Sequence, residues 1–377
     1  MKPSNEPALY IGLMSGTSLD GIDGALVQWI DDTPQTLAFD SAPLEPALRT
    51  ELMALQTPGE DELHRSALAG VALASAYAQV CARLIAQAPA GADIRAIGAH
   101  GQTVRHRPQD GYTVQLLDGA LLAELAGCPV VCDFRSADIA AGGQGAPLVP
   151  AFHARVFGHP SERRAIVNLG GIANVSLLAC DSPVQGFDTG PANVLLDLWA
   201  TRTLGQAQDT DGTLAARGRV NHDWLATLLK EPFFERQPPK STGRDLFNPQ
   251  WLDRQLGEFI EAEPADPIQR AADIQATLVE LTALTVARAC REFDAKAIYL
   301  CGGGAFNPTL VERIRLACAP ARVATTDALG APPQAVEAVA FAWLARCRLE
   351  GAAGNLPAVT GADGPRVLGA IYSPIGS

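Results

Sequence analysis

Three glycine-rich turns and one arginine are the places where this sequence could do chemistry. The first turn lies within Leu9–Trp29, where an apolar strand pattern (9–14) gives way to Ser15–Gly21 and a second strand pattern from Ile22. Glycines at 12, 16, 21 and 24 bare the backbone, and Thr17 and Ser18 add hydroxyls. A concave run of N–H groups of this kind favours an anion, most commonly a phosphate. The same composition also suits an ordinary hairpin with Asp-Gly turn chemistry. The second turn is Gly170-Gly171, between strand patterns at 164–169 and 174–179. The third is Gly302-Gly303-Gly304, between a strand pattern (297–301) and a helix pattern (307 to about 317). A triple glycine there lets a ligand lie against backbone, beside helix N–H groups. It is not a P-loop, because the Gly-Lys-Ser/Thr ending is missing. Arg135, in Asp-Phe-Arg-Ser-Ala-Asp (133–138), can grip a carboxylate or phosphate bidentately or pair locally with Asp133 or Asp138. His100 follows a buried-strand pattern (93–99), a place where a histidine is more often structural than catalytic unless other polar groups converge on it.

The elements that must position these residues alternate between strand and helix patterns. Long helix patterns cover 63–88 and 268–292, shorter ones 118–126 and 332–350, and further strand patterns 36–42, 113–117, 129–133, 184–187 and 322–325. Alternation of this kind means an α/β architecture with parallel pairing, in which ligands gather beyond the carboxyl ends of strands. A strand–glycine turn–strand unit opens each half of the chain at a separation of roughly 155 residues, the mark of an internal duplication. From about 205 to 267 the pattern loosens into short helices and prolines, an insertion expected to form a lid, a substrate wall or a contact surface.

With 377 residues, two domains are the default. A net charge of −12 argues against a nucleic-acid partner, which needs a basic face. The eight cysteines lack zinc-site spacing and are expected to be free thiols. No signal peptide or run of about 18 apolar residues is evident, so a cytoplasmic protein without a membrane partner is expected.

Taken together, the three glycine turns in this order resemble the superfamily of actin, Hsp70-type chaperones and sugar kinases. Within it the sequence looks most like the anhydro-N-acetylmuramic acid kinase family. The resemblance is carried by residues 12–21 (GLMSGTSLDG), 98–103 (GAHGQT), 133–138 (DFRSAD), 142–150 (GGQGAPLVP), 168–174 (NLGGIAN), 186–191 (GFDTGP), 240–244 (KSTGR) and 301–307 (CGGGAFN). It spans nearly the whole chain. Met14 and Asn168 stand where actin-like and chaperone relatives place aspartates, leaving Asp20, Asp23 and Asp188 as acidic candidates.

The resemblance implies two duplicated ribonuclease-H-like lobes with an ATP cleft between them, residues 1–160 and 161–377, the C-terminal tail packing on the first. It implies that ATP and water convert 1,6-anhydro-N-acetylmuramic acid to N-acetylmuramic acid 6-phosphate. Asp188 matches the family's catalytic aspartate, expected just before a helix whose first turn holds Pro191 and whose unpaired N–H groups keep the carboxylate ionised. Nucleotide contacts are expected from Gly16, Thr17, Ser18, Leu19, Asp20, Gly21, Ile22, Asp23, Gly170, Gly171, Asn174, Gly302, Gly303 and Gly304. Sugar contacts are expected from Ser15, His100, Arg135 and Glu337, with Arg135 on the lactyl carboxylate. Mg2+ is expected with ATP, without an assured side-chain ligand, Asp20 reaching it through water. A homodimer is also implied. The rivals are a sugar kinase that opens no ring and a non-catalytic ATP-binding switch.

Overall fold

The computed structural model of the protein describes residues 8–16, 19, 21–30, 32–260 and 266–374. The chain forms two compact units, one from the chain up to Phe157 together with the chain from Leu329 onward, the other from Gly158–Ala328.

In the first unit, β1 (Leu9–Met14), β2 (Ile22–Ile30) and β3 (Thr33–Ala42) form an antiparallel meander. The helix Glu62–Ile85 then leads to β4 (Ile94–Ala99), which lies parallel to β1. That helix is long and apolar enough to cross a membrane by composition, but Leu73, Tyr77, Val80 and Leu84 are buried in the core it shares with β1 and β2. A separate hairpin, β5 (Gln102–Arg107) and β6 (Tyr112–Leu116), follows. β7 (Val130–Cys132) extends the sheet parallel to β4.

The second unit repeats this plan. β8 (Arg164–Leu169), β9 (Ile172–Leu178) and β10 (Gln185–Pro191) are antiparallel, and β11 (Ala297–Cys301) and β12 (Arg322–Thr325) add in parallel. Its order is β10-β9-β8-β11-β12, and the first sheet reads β3-β2-β1-β4-β7 with β13 (Ala370–Tyr372) added antiparallel at the β7 edge. Both are third-second-first-fourth-fifth, the ribonuclease-H-like order. The duplication expected from the spacing of the glycine turns is therefore present in the topology.

The domain boundary needs correcting. The second lobe, expected to run from 161 to 377, ends at Ala328, and the whole segment from Leu329 belongs to the first unit. The helix Val336–Glu350 packs directly on β1 and β4 at two glycines. A Cβ on Gly12 would lie 1.7 Å from the Ala338 carbonyl oxygen, and one on Gly98 2.0 Å from that of Phe341. Any side chain at either position would push the helix off the sheet. Gly24 similarly admits Val80, 2.6 Å from where its Cβ would be, and Gly21 admits the carbonyl of Ala42 at 2.7 Å. On their Cβ side Gly12, Gly21 and Gly24, expected to expose backbone to an anion, instead let protein pack on protein.

The described part of the 205–267 segment, 205–260 and 266–267, is more tightly built than a loose insertion. Phe233, Phe234, Phe247 and Trp251 pack together, mostly edge to face and with Phe234 stacked on Phe247, ring centroids 5.2–6.0 Å apart, and join the core of the second sheet. The helix Pro267–Glu292 contributes a long buried face to the same core. The eight cysteines are free thiols.

Candidate active site

In the first unit, the carboxyl ends of β1 and β4 meet. The His100 amide donates to the Leu13 carbonyl at 3.0 Å, and Gln102 Nε2 donates to Gly16 O at 3.1 Å, tying the two turns together. Ser15 is buried, its hydroxyl 2.8 Å from Tyr77 Oη and donating to Gly101 O at 3.2 Å. Its side chain therefore braces the His100 turn. Tyr77, on the helix Glu62–Ile85, is buried and its phenol is held well above its ordinary pKa by that burial.

Arg135 reaches this turn from the loop after β7. Its Nη2 lies 2.7 Å and its Nε 3.3 Å from His100 Nε2, and Nη1 donates to Gly145 O at 2.8 Å. A guanidinium only donates, so His100 Nε2 must accept, which places the neutral imidazole's proton on Nδ1. Burial, reinforced by the Arg135 charge, lowers His100 to about 3. The histidine is thus a neutral acceptor that orients Arg135. Three of the five guanidinium N–H donors are used in this way, leaving two for a ligand. Burial lowers Arg135 itself to about 10, with Glu337 acting in the opposite direction, so it remains a cation at neutral pH.

Asp138, fully buried, fixes the loop that Arg135 grips. It accepts from the Gly145 amide at 2.8 Å, from Asn355 Nδ2 at 2.7 Å and from Thr360 Oγ1 at 2.7 Å. Glu337, on the first turn of the helix Val336–Glu350, is accessible to solvent. Crowding by protein and the charge of Asp23 raise its pKa, and Arg135 lowers it.

A polar row crosses each sheet at corresponding positions. In the first, Met14 pairs with Asp23 and Asp23 with Ser41, whose hydroxyl donates to Asp23 Oδ1 at 2.7 Å. In the second, Asn168 pairs with Asn174 and Asn174 with Asp188. Directly opposed residues point to the same face, so Asn168, Asn174 and Asp188 form one row. Asp188 lies within β10, because the strand runs on to Pro191 and the helix starts only at Asn193.

The expected source of Asp188's polarisation is therefore wrong. The amides of Ala192, Asn193 and Val194 at that helix end donate to Gly170 and Gly171 carbonyls at 2.9–3.0 Å. Asp188 Oδ2 instead accepts from the Thr242 amide at 2.9 Å, and Oδ1 accepts nothing among the described residues. Burial raises the carboxyl above the usual aspartate range, and the Thr242 amide partly offsets this.

The remaining glycine turns meet at Asn193. Its Nδ2 donates to Leu169 O at 3.0 Å and lies beside Gly303 and Gly304. The Gly170 and Gly171 amides donate to no backbone group among the described residues, and a Cβ on either would meet nothing closer than 3.5 Å. Gly302 adopts a left-handed φ of 78°, and a Cβ there would fall 2.3 Å from Asn168 Oδ1. Gly304 lies tight against Leu169, so Gly303 is the open member of the three. Beside it is a polar cavity of about 140 Å3, lined by Asn193, Asp197, Gln208, Asp211, Gly303 and Phe306 among others. Phe306 is 54% exposed, a free aromatic face.

Thr17, Ser18 and Asp20 lie outside the described residues. Leu19 and Ile22 are fully buried in the first core, so their side chains cannot contact a nucleotide and only their backbone could. Gly16 contributes its carbonyl within the turn, accepting from Leu19 N at 3.1 Å. Tyr77, Asn193 and Thr242 were not singled out by sequence, although Asn193 and Thr242 fall beside or within motifs that were; Asp138, weighed there as an ion-pair partner of Arg135, instead holds Gly145, Asn355 and Thr360.

Two sheets of one order, each with a polar row and a glycine turn, define a duplicated ribonuclease-H-like α/β protein. The relatives make it a carbohydrate kinase. The profile described as Anhydro-N-acetylmuramic acid kinase matches residues 8–374. The enzyme of that name from Paraburkholderia xenovorans (strain LB400) is 52% identical over 98% of this chain and 99% of its own length. The one from Bordetella avium (strain 197N) is 54% identical over 98% and 97%. Among solved structures, the activator of the 2-hydroxyisocaproyl-CoA dehydratase from Clostridium difficile with bound ADPNP aligns at 13% identity, covering 91% of this chain and 96% of its own, with a TM-score of 0.46. That likeness is too loose to carry an argument. The chain belongs to the anhydro-N-acetylmuramic acid kinase family.

Proposed function

We propose that the protein opens the anhydro bridge of 1,6-anhydro-N-acetylmuramic acid with water and phosphorylates O6 from ATP. The products are N-acetylmuramic acid 6-phosphate and ADP, and the setting is murein recycling in the cytoplasm. The observation that carries the reading is Asp188, a carboxylate with one oxygen held by a backbone amide and the other unengaged among the described residues, in a chain of this family.

In this scheme Asp188 takes a proton from water as the water oxygen bonds to C1 and the C1–O6 bond breaks. O6 receives the phosphoryl group that ATP supplies. Asn174, opposite Asp188 on β9, is placed to orient the same water. Arg135, with two N–H groups left over, holds the sugar's lactyl carboxylate, and His100 keeps the guanidinium in register. Ser15 supports this contact through the turn it braces, and Glu337 adds an acceptor for a sugar hydroxyl.

The second unit fits a nucleotide. The Gly170 and Gly171 amides suit phosphate oxygens, and the cavity beside Gly303 with the Phe306 ring suits the adenosine. For Mg2+ the donor set is thin, since no group of three His, Cys, Asp or Glu side chains that could hold a metal occurs among the described residues. That pattern suits an ion held mainly by phosphate oxygens and water. The protein acts as a homodimer.

The test is ADP release, coupled to a readout, with a panel of sugars. Release should depend on 1,6-anhydro-N-acetylmuramic acid and be far slower with N-acetylmuramic acid or glucose. Equal stimulation by an ordinary hexose would favour a plain sugar kinase, and nucleotide binding without any sugar-stimulated release a switch protein.

A further inference from the structure

The residues that hold Asp188, Lys240 and Thr242, come from more than fifty positions further along the chain, and something must hold them in turn. The segment that contains Lys240 and Thr242 meets β10 twice. The Asp188 amide donates to the Lys240 carbonyl at 3.1 Å, and the Thr242 amide donates to Asp188 Oδ2 at 2.9 Å. Pro238, Pro239 and Gly243 flank the segment, which belongs to no helix or strand. Its position rests on tertiary contacts.

The Lys240 side chain supplies such contacts. Its ammonium donates to the carbonyl of Phe234 at 3.2 Å and, more weakly, of Phe233 at 3.4 Å, and lies 5.0 Å from the Phe233 ring centroid. These carbonyls belong to the short helix Pro232–Glu235, which is itself immobilised. Phe233 and Phe234 are locked into the cluster with Phe247 and Trp251, and Trp251 Nε1 donates to Glu231 Oε2 at 2.9 Å. Phe234 also packs on Gly190, where a Cβ would lie 2.8 Å from its ring. A lysine held by carbonyls instead of a carboxylate, and partly desolvated there, has a lowered pKa. The burial that lowers it is a cost that an exposed lysine would avoid, which argues for a structural task at this position.

We propose that Lys240 is a positioning residue for Asp188. Its ammonium pins the 240–242 segment to the aromatic cluster, so that the Thr242 amide stays aimed at the carboxylate and favours its ionised form. Around Lys240 are Glu235, Arg236, Arg288 and Glu292, with Arg288 bonded to Glu235 and Glu292 at 3.0 Å each. Facing Asp188 itself are Asn174 across β9 and the Thr242 amide, and the causes of its raised pKa are burial and that amide, with no charged side chain among them.

The inference rests on Asp188 acting as the base, and the experiment separates the two. Lys240→Met removes the ammonium at nearly constant length, and Lys240→Arg keeps a cation. The acid limb of the kcat profile should move up by about half a pH unit or more in Lys240→Met. KM for ATP and sugar should stay within twofold, and Lys240→Arg should restore most of the shift. Thr242→Pro, which deletes the donating N–H while leaving Lys240 in place, should move the limb the same way and keeps the proposal testable if Lys240→Met does not fold. An unmoved acid limb in folded Lys240→Met or Thr242→Pro overturns the inference if Asp188→Asn is inactive. An active Asp188→Asn overturns the reading beneath it.

Discussion

Asp188→Asn lowers turnover by about 10²–10⁴-fold, the usual contribution of a general base, while the Kd for ATP stays within twofold. The expectation follows from the geometry. The amide side chain can still accept from Thr242 N through its oxygen, so the local fold is preserved, but it cannot take up a proton from water. The intact enzyme should also lose activity as pH falls through the Asp188 pKa. Burial raises that pKa, so the limb should lie above the ordinary aspartate range near 3.9. Rates against pH for both proteins, with calorimetric ATP titration, check this. Turnover like the unmodified enzyme's in Asp188→Asn removes the residue from the role.

The second large effect belongs to Arg135. Arg135→Ala should raise the KM for the anhydrosugar about 10–100-fold, because hydrogen bonds to a charged group are worth about 1.5–3 kcal/mol when lost. KM for ATP should be unaffected. Lys at the same position keeps the charge but not the fork that reaches His100 and Gly145 while leaving two N–H groups over, so Arg135→Lys should recover only part of the loss. A substrate analogue lacking the lactyl carboxylate should bind the two proteins equally. An unchanged sugar KM in Arg135→Ala would show that the carboxylate is held elsewhere. His100 enters this effect without charging, since burial and Arg135 hold it to about 3 and it stays neutral throughout the working range.

Much of this was legible in the sequence, and the parts that were not share a cause. Strand ends, glycine turns and the duplication are local patterns, and they appear in the two sheets at the expected places. The partners of those residues are remote in sequence. Ser15 meets Tyr77, Asp188 meets Thr242, and Asp138 meets Asn355 and Thr360, contacts that only the folded topology creates. Gly12 and Gly98 show a second limit. A glycine that bares backbone to a ligand and one that admits a helix look alike in sequence, and here it is the helix Val336–Glu350 that they admit. The same packing explains why the boundary after Ala328 was missed, since the returning segment carries no composition signal of its own. Pro191 misled in a third way. It reads as a first-turn helix residue but ends β10, so Asp188 stands in a strand and takes its amide from the 240–244 motif.

The central claim is that water, activated at Asp188, enters at C1 as O6 is phosphorylated. The direct measurement is turnover of 1,6-anhydro-N-acetylmuramic acid in ¹⁸O-water, with the product analysed by mass spectrometry before its anomeric oxygen exchanges. The account predicts one heavy oxygen per product molecule, on the anomeric carbon, with none in the phosphoryl group. Product without label, or label found in the phosphate, would contradict it.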